Sequence, residues 1–81
     1  MKLTEAITKR IFDLCKLNNI KPNKLATMAG MPAGSLKSIF YGKSKNTGTR
    51  TILDICQALN MTLYDFFNDD LFKSIELEGD Y

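Results

Sequence analysis

The side chains best suited to binding chemistry lie close together near the middle of the chain. A small and polar face, spaced as on one side of a helix, is formed by Gly34, Lys37, Ser38 and Tyr41. The four residues after Gly42 read KSKN and make a basic segment. Ammonium, hydroxyl and amide groups donate hydrogen bonds, and the ammonium groups attract anions. These residues therefore favour the binding of a partner over catalysis.

Residue types that would support catalysis are missing from the sequence. The chain has no histidine, no pair of carboxylates on a common helix face, no phosphate-cradling glycine loop and no nucleophile beside an evident base. Cys15 and Cys56 lie far apart, and without histidine they cannot complete a four-ligand Cys/His zinc site. We predict a protein that is not an enzyme and has no metal, no cofactor and no small-molecule ligand.

The polar face belongs to the second of two predicted short helices, over residues 22–29 and 32–41. Gly30 ends the first helix because it adopts a positive φ without a Cβ penalty. Pro32 suits the first position of the second helix, and Gly42 closes it. Leu36, Ile39 and Phe40 form the apolar stripe of this second helix. The pattern predicts a helix-turn-helix unit.

Three further helices complete the predicted fold. The first covers residues 5–17, with Thr4 as N-cap and Asn18-Asn19 at its end. Its buried stripe is Ile7, Ile11 and Leu14, widened by Phe12 or Leu17.

The fourth predicted helix covers residues 50–59, begins at Thr49 or Thr51 and ends at Asn60. It buries Ile52, Ile55, Cys56 and Leu59. The fifth begins after Thr62, whose spacing to Asp65 is that of a capping box, and buries Leu63, Phe66 and Phe67.

The C-terminal segment has a weaker pattern. Leu71, Phe72 and Ile75 are spaced as in a short amphipathic helix, which would pack on the domain or pair with a second subunit. We divide the chain into a domain over residues 1–68 and an acidic tail over residues 69–81, and we expect disorder past Glu78.

Charge is distributed unevenly along the 81 residues. Residues 1–50 hold ten Lys and Arg against two acidic residues, whereas residues 51–81 hold one Lys against seven Asp and Glu. This split indicates a surface that faces a polyanion. No apolar run approaches the ~20 residues of a membrane span, and the N-terminal residues do not resemble a signal peptide. We predict a cytoplasmic protein without membrane contact.

The segment LATMAGMPAGSLKSIFYG and the helices after it resemble the Cro/C1-type (XRE, lambda-repressor-like) helix-turn-helix DNA-binding domain, from about Ile7 to Phe67. The points of resemblance are Leu25-Ala26, Gly30, Ser35-Leu36 through Ile39, Gly42-Lys43, and the run from Ile55 to Phe67. The resemblance implies an all-α, five-helix fold whose third helix enters the major groove of DNA.

The resemblance also implies a set of contacts. Base edges would be contacted by Ala33, Gly34, Lys37 and Ser38, and the DNA backbone by Asn23, Tyr41, Lys43, Ser44 and Lys45. Ala33 offers only a methyl group, which suits a thymine methyl, and Lys37 suits guanine O6 and N7. Gly34 would permit close backbone approach or would simply relieve crowding in the turn. We expect modest direct readout and a larger share from phosphates and DNA shape.

Two positions depart from the family pattern. Relatives often place a long polar residue at Cys15, so its thiol is expected to be partly exposed. In several relatives an arginine at position 10 pairs with a glutamate at the position of Phe40. Arg10 is therefore left to stack on Phe40, to turn toward phosphate, or to be solvated. Lys9, Lys16, Lys21 and Lys24 are expected to serve solvation and long-range steering.

The resemblance implies a sequence-specific transcriptional regulator, and we expect a repressor that binds double-stranded DNA as a homodimer. Its half-sites would lie one helical turn, about 34 Å, apart. The alternative is a protein-interaction module that keeps the fold without reading DNA. The featureless Ala33-Gly34 surface, the Met28 and Met31 pair and the acidic tail favour that alternative.

Overall fold

The computed structural model describes residues 1–40 and 48–75. Within these residues the chain forms helices and no strand: α1 (Leu3–Leu17), α2 (Pro22–Met28), α3 (Ser35–Phe40), α4 (Thr49–Ala58), α5 (Leu63–Phe67) and a 3₁₀ turn (Asp70–Ser74). The predicted all-α fold with five helices is confirmed. Helix α2 packs against α3 and α4, and α5 packs against α4. Helix α1 contacts α2, α3 and the 3₁₀ turn.

Helices α1, α2 and α4 end in the same way. The second residue after each helix has a positive φ, and these residues are Asn19 (55°), Gly30 (77°) and Asn60 (56°). The amide of the next residue then donates to a carbonyl five residues back, in the pairs Ile20 to Cys15, Met31 to Ala26 and Met61 to Cys56. This is the Schellman arrangement. The apolar residue that donates this hydrogen bond packs against the core in all three cases. The predicted end of α1 at Leu17 is confirmed, and α2 and α4 each end one residue before the predicted position.

Helix starts follow the sequence less closely. Thr62 begins α5 as predicted, because its hydroxyl accepts from the Asp65 amide and its own amide donates to the Asp65 carboxylate, both at 3.0 Å. The N-cap of α1 is Lys2 and not Thr4, because the Glu5 carboxylate reaches back to the Lys2 amide at 3.1 Å.

Of the two predicted starts of α4, Thr49 is the first residue of the helix, with Gly48 as its N-cap, whereas Thr51 lies inside the helix. Thr51 forms no capping box with Asp54. The Asp54 carboxylate instead accepts from the Arg50 guanidinium at 3.1 Å.

One hydrophobic core joins the five helices. Its fully buried larger side chains are Phe66, Ile11, Leu25, Leu36, Ile55 and Cys56. The predicted stripes of α1, α3 and α4 are confirmed, with Phe40 and Leu59 partly buried at the margin of the core. Phe12 and Leu17 do not widen the stripe of α1, because both side chains are exposed.

Helix α5 buries fewer residues than its sequence predicts. Phe66 is fully buried, whereas Leu63 and Phe67 stay 45% and 40% exposed. A helix of five residues makes less than two turns, so only one of its side chains points directly into the core. Phe67 instead contacts the edges of Phe66 and Phe72, each with ring centroids 5.0 Å apart.

Cys15 is also buried, at 3% exposure, which corrects the expectation of a partly exposed thiol. It lies on the same side of α1 as Ile11 and Leu14, so its helix turns it into the core. Burial raises the pKa of the Cys15 thiol, and burial is also the main cause that raises the pKa of the Cys56 thiol.

Arg10 joins α1 to the C-terminal segment. Its guanidinium donates to the carbonyls of Phe66 and Asp65 at 2.7 and 2.8 Å and to the Asp69 carboxylate at 3.3 Å. The same guanidinium lies 5.9 Å from the centroid of the Phe66 ring. The expectations that Arg10 stacks on Phe40, turns toward phosphate or is solvated are therefore wrong. Carbonyls near the end of α5, which have no partner within the helix, accept hydrogen bonds from the Arg10 guanidinium instead.

Residues 70–74 form a 3₁₀ turn where the sequence predicts a short amphipathic helix. Phe72 packs against the core, so this segment folds back onto the domain.

Candidate nucleic-acid interface

The connection between α2 and α3 sets the position of the candidate site. Pro32 does not begin α3 as predicted, because the helix starts at Ser35. The Ser35 amide donates to the Pro32 carbonyl at 3.1 Å, which closes a four-residue turn. Gly34, the third residue of this turn, has a φ of 93° and cannot continue into a right-handed helix. Ala33 and Gly34 therefore lie in the turn that precedes α3.

The backbone explains why residue 34 is a glycine. A Cβ built at Gly34 would meet no described atom within 4 Å, so relief of crowding is not the reason. A φ of 93° lies in the region that residues with a side chain rarely adopt. The turn geometry accounts for the glycine, and it leaves the backbone of residue 34 without a covering side chain.

Helix α3 separates its buried and exposed residues cleanly. Leu36 and Ile39 enter the core, whereas Lys37 and Ser38 are exposed on the other side. Ala33 is exposed in the turn just before them. Three of the four residues predicted to contact bases thus lie exposed on one short stretch, and Gly34 is partly exposed between them. The arrangement offers a cation, a hydroxyl and a methyl group to a groove.

An aromatic contact holds the end of α3 against α1. The rings of Phe12 and Phe40 meet edge to face, with centroids 5.9 Å apart and planes at 90°. Phe40 is the last described residue of α3. The pair therefore couples the orientation of α3 to α1 through an apolar contact, which is not weakened by salt as an exposed ion pair is.

Helix α2 contributes Asn23, the described member of the predicted backbone-contacting set. Asn23 is exposed, and its backbone carbonyl accepts from the Thr27 hydroxyl at 3.0 Å. The neighbouring Lys21 and Lys24 are also exposed. The other predicted backbone contacts, Tyr41, Lys43, Ser44 and Lys45, lie outside the described residues.

The ion pairs show which cations are neutralised. Four pairs form within the described residues: Lys9 with Asp13, Arg10 with Asp69, Arg50 with Asp54, and Lys73 with Asp70. Among the lysines described, those without an ion pair to a described residue are Lys2, Lys16, Lys21, Lys24 and Lys37. Four of these five come from residues 16–37, so the unneutralised charge concentrates on the end of α1, on α2 and on α3.

The charge balance of residues 1–50 and 51–81 overlooks a more local sequence signal for this surface, a long segment without acidic residues. Residues 14–53 contain seven Lys and Arg and no Asp or Glu. This acid-free segment includes the whole helix-turn-helix. It locates the positive surface more closely than the charge balance of residues 1–50, because Asp13 pairs with Lys9 within residues 1–13.

The geometry defines a class of protein. A short helix with one exposed polar face, joined by a tight turn to a second helix within a segment that has no acidic residue, is a helix-turn-helix unit of the kind that binds DNA. The family model of the Cro/C1-type HTH DNA-binding domain matches residues 10–70. The chain therefore belongs to the Cro/C1-type HTH DNA-binding family.

Two other comparisons gave no match, since neither a curated protein nor a solved structure matched the sequence. None of the helices in residues 1–40 and 48–75 is long and apolar enough to cross a membrane.

Proposed function

We propose that the protein is a sequence-specific transcriptional repressor that binds operator DNA as a homodimer, with α3 in the major groove. Residues 1–68 carry DNA binding, and residues 69–81 form an acidic tail. Lys37 and Ser38 read base edges, Ala33 contacts a thymine methyl, and the backbone of Gly34 approaches the DNA closely. Asn23, Tyr41, Lys43, Ser44 and Lys45 contact the backbone. This role needs no catalytic chemistry, and it requires the protein to share a compartment with DNA.

The observation that carries this proposal is the division of α3 into two faces. Leu36 and Ile39 fix the helix to the core, while Lys37 and Ser38 remain exposed. Most affinity in such complexes comes from contacts between cations and phosphates, and base-edge contacts supply the specificity. The membership of the chain in a DNA-binding family supports the same role.

Helix α5 supports the homodimer part of the proposal. Leu63, Tyr64 and Phe67 are all large, apolar or aromatic, and at least 40% exposed on this one short helix. With Asn68 they line a shallow surface depression. A second copy of the chain is a suitable cover for this patch, since a single helix-turn-helix unit reads only one half-site.

The experiment is a selection of bound sequences from a random duplex pool, performed with the full chain at a low and a higher salt concentration. Enrichment of an inverted repeat supports the proposal and identifies the operator. Enrichment of a single short sequence contradicts the homodimer. Binding without enrichment contradicts sequence-specific readout. A reporter gene behind the selected operator then distinguishes repression from activation.

A protein-interaction module is the second candidate. The observation that favours it is the exposed Met28 near the turn, together with the Ala33-Gly34 surface, which has no base-specific hydrogen-bonding side chain. Retention of the protein by random duplex DNA at low salt discriminates between the two functions. A protein that shows no such retention is an interaction module and not a DNA-binding regulator.

A further inference from the structure

A column of three side chains links the surface of α1 to the end of α3. The ammonium nitrogen of Lys16 lies 5.3 Å from the centroid of the Phe12 ring. The Phe12 ring in turn meets the Phe40 ring edge to face, with centroids 5.9 Å apart. Phe40 is the last described residue of α3, so the column places a cation of α1 beside this part of the candidate recognition helix.

We propose that Lys16 is a phosphate contact of the DNA-binding surface and that Phe12 is its positioning residue. The inference rests on the proposed DNA binding and extends its surface to α1. The phosphate would belong to the DNA backbone that flanks the groove occupied by α3. Lys16 would then act by contact with a phosphate and not only by long-range steering.

The charge of Lys16 is available for such a contact. Lys16 is exposed, and none of the carboxylates described pairs with it. An interaction with the face of a ring orients an ammonium group but does not neutralise it. The residues that follow, through position 53, include no acid that would compete with a phosphate.

Lys9 provides the contrast on the same helix. It lies seven residues before Lys16, so it is on nearly the same face and about 10 Å farther along the helix axis. Its ammonium pairs with the Asp13 carboxylate at 3.4 Å. Lys9 is exposed like Lys16 but has a local partner, which makes Lys9→Ala the matched control.

The test measures binding of the full chain to a duplex obtained by the selection above, or to a random duplex, as salt is varied. A lysine that contacts one phosphate adds about 0.9 to the slope of log affinity against log salt. We expect Lys16→Ala to lower the slope by this amount, which is about a 3.5-fold smaller loss of affinity between roughly 50 and 200 mM salt. Lys9→Ala should keep the wild-type slope, and Lys16→Arg should also keep it.

The role of Phe12 is tested by a double-mutant cycle with Phe12→Leu. If Phe12 positions Lys16, the affinity lost through Lys16→Ala is smaller in the Phe12→Leu background than in the wild type. Independent effects of the two substitutions would overturn the positioning role. Thermal unfolding followed by circular dichroism identifies any variant that fails to fold, and Phe12→Met, which also removes the ring, replaces Phe12→Leu in that case with the same expected result.

The outcomes separate the two proposals. If the wild-type protein does not bind DNA at low salt, the proposed function fails and the Lys16 contact with it. If the wild-type protein binds and Lys16→Ala has the same slope as Lys9→Ala, the Lys16 contact alone is refuted.

Discussion

The Arg10 guanidinium donates to the Phe66 carbonyl at 2.7 Å, across 56 positions of sequence. Phe66 is also the one fully buried side chain of α5. Arg10 of α1 thus binds the backbone of α5 at Phe66, the residue whose side chain α5 buries in the core. The contact supports the domain on which α3 is mounted, although Arg10 itself lies outside the candidate DNA surface.

Removal of this contact should reduce stability. Arg10→Ala leaves two carbonyls and the Asp69 carboxylate without their donor, and we expect a loss of about 2–3 kcal/mol in the free energy of unfolding. Arg10→Lys should recover less than half of the loss, because lysine lacks the planar fork that reaches several acceptors at once. Chemical denaturation followed by circular dichroism measures both values. Lys9→Ala is the control, expected within about 0.5 kcal/mol of wild type.

The lowered pKa of the Asp65 carboxyl predicts how the stability of the protein depends on pH. The hydrogen bond from the Thr62 backbone amide is the main cause that holds the pKa of the Asp65 carboxyl below its usual value. A group whose pKa is lowered by folding stabilises the protein above its unfolded pKa and loses that contribution as pH falls through its folded pKa. The difference in unfolding free energy between wild type and Asp65→Asn should therefore be constant near neutral pH and shrink below about pH 4. A difference that does not change between neutral and strongly acidic pH would contradict this account.

Gly34 should tolerate substitution poorly even though space surrounds it. Gly34→Ala forces a side-chain-bearing residue to a φ of 93°, and we expect a loss of about 1–2 kcal/mol. Gly48→Ala is the matched control, since Gly48 also has open space around its Cβ position but a φ of −66°. That variant should stay within about 0.5 kcal/mol of wild type. Equal losses in the two variants, measured by urea unfolding, would exclude backbone conformation as the cause.

Lys37 should affect specific binding more than non-specific binding. Lys37→Ala is expected to weaken binding to the selected operator by about 1–3 kcal/mol and to change binding to random duplex little. Competition titrations with the two duplexes give the ratio. Lys24→Ala, an exposed lysine of α2, should leave the ratio unchanged. An equal loss on operator and random DNA in Lys37→Ala would show that Lys37 contacts phosphate and not a base.

Lys43 should affect all sequences alike. Lys43→Ala is expected to weaken binding to operator and random duplex equally and to reduce the salt slope by about 0.9. Lys73→Ala is the control, because the Lys73 ammonium pairs with the Asp70 carboxylate at 3.1 Å near the C-terminal end. Fluorescence anisotropy over a salt series gives both slopes. A change of the slope in Lys73→Ala as large as that in Lys43→Ala would indicate general charge attraction and no defined contact.

Local signals in the sequence predicted those features that depend on a few neighbouring residues. The Thr62 and Asp65 capping pair, the asparagines after α1 and α4 and the glycine after α2 act within one helical turn, so spacing alone identifies them. The predicted start of α3 failed because Pro32 suits both a helix start and a turn. Only the φ of Gly34 decides between them, and that angle is not encoded in the apolar spacing.

Long-range partners were harder to predict. The destination of Arg10 depends on where the carbonyls at the end of α5 lie, which is a property of the whole fold. The exposure of Leu63 and Phe67 depends likewise on the short length of α5. At the candidate site, the sequence identified Lys37 and Ser38 correctly as exposed. The neutralisation of Lys9 by Asp13, four residues along the same helix, is a local feature that the charge balance of the two chain halves does not resolve.

The turn between α2 and α3 has an evolutionary consequence. Gly30 and Gly34, which lie at its two ends, both have a positive φ that few other residues adopt. Met31 packs against the core. Pro32 and Ala33 are exposed between them. The fold therefore constrains substitution least at these two positions of the loop, and Ala33 is one of the proposed base contacts. Under the proposed function, substitutions at the exposed Ala33, Lys37 and Ser38 would change the preferred operator while leaving the buried residues of the fold unchanged.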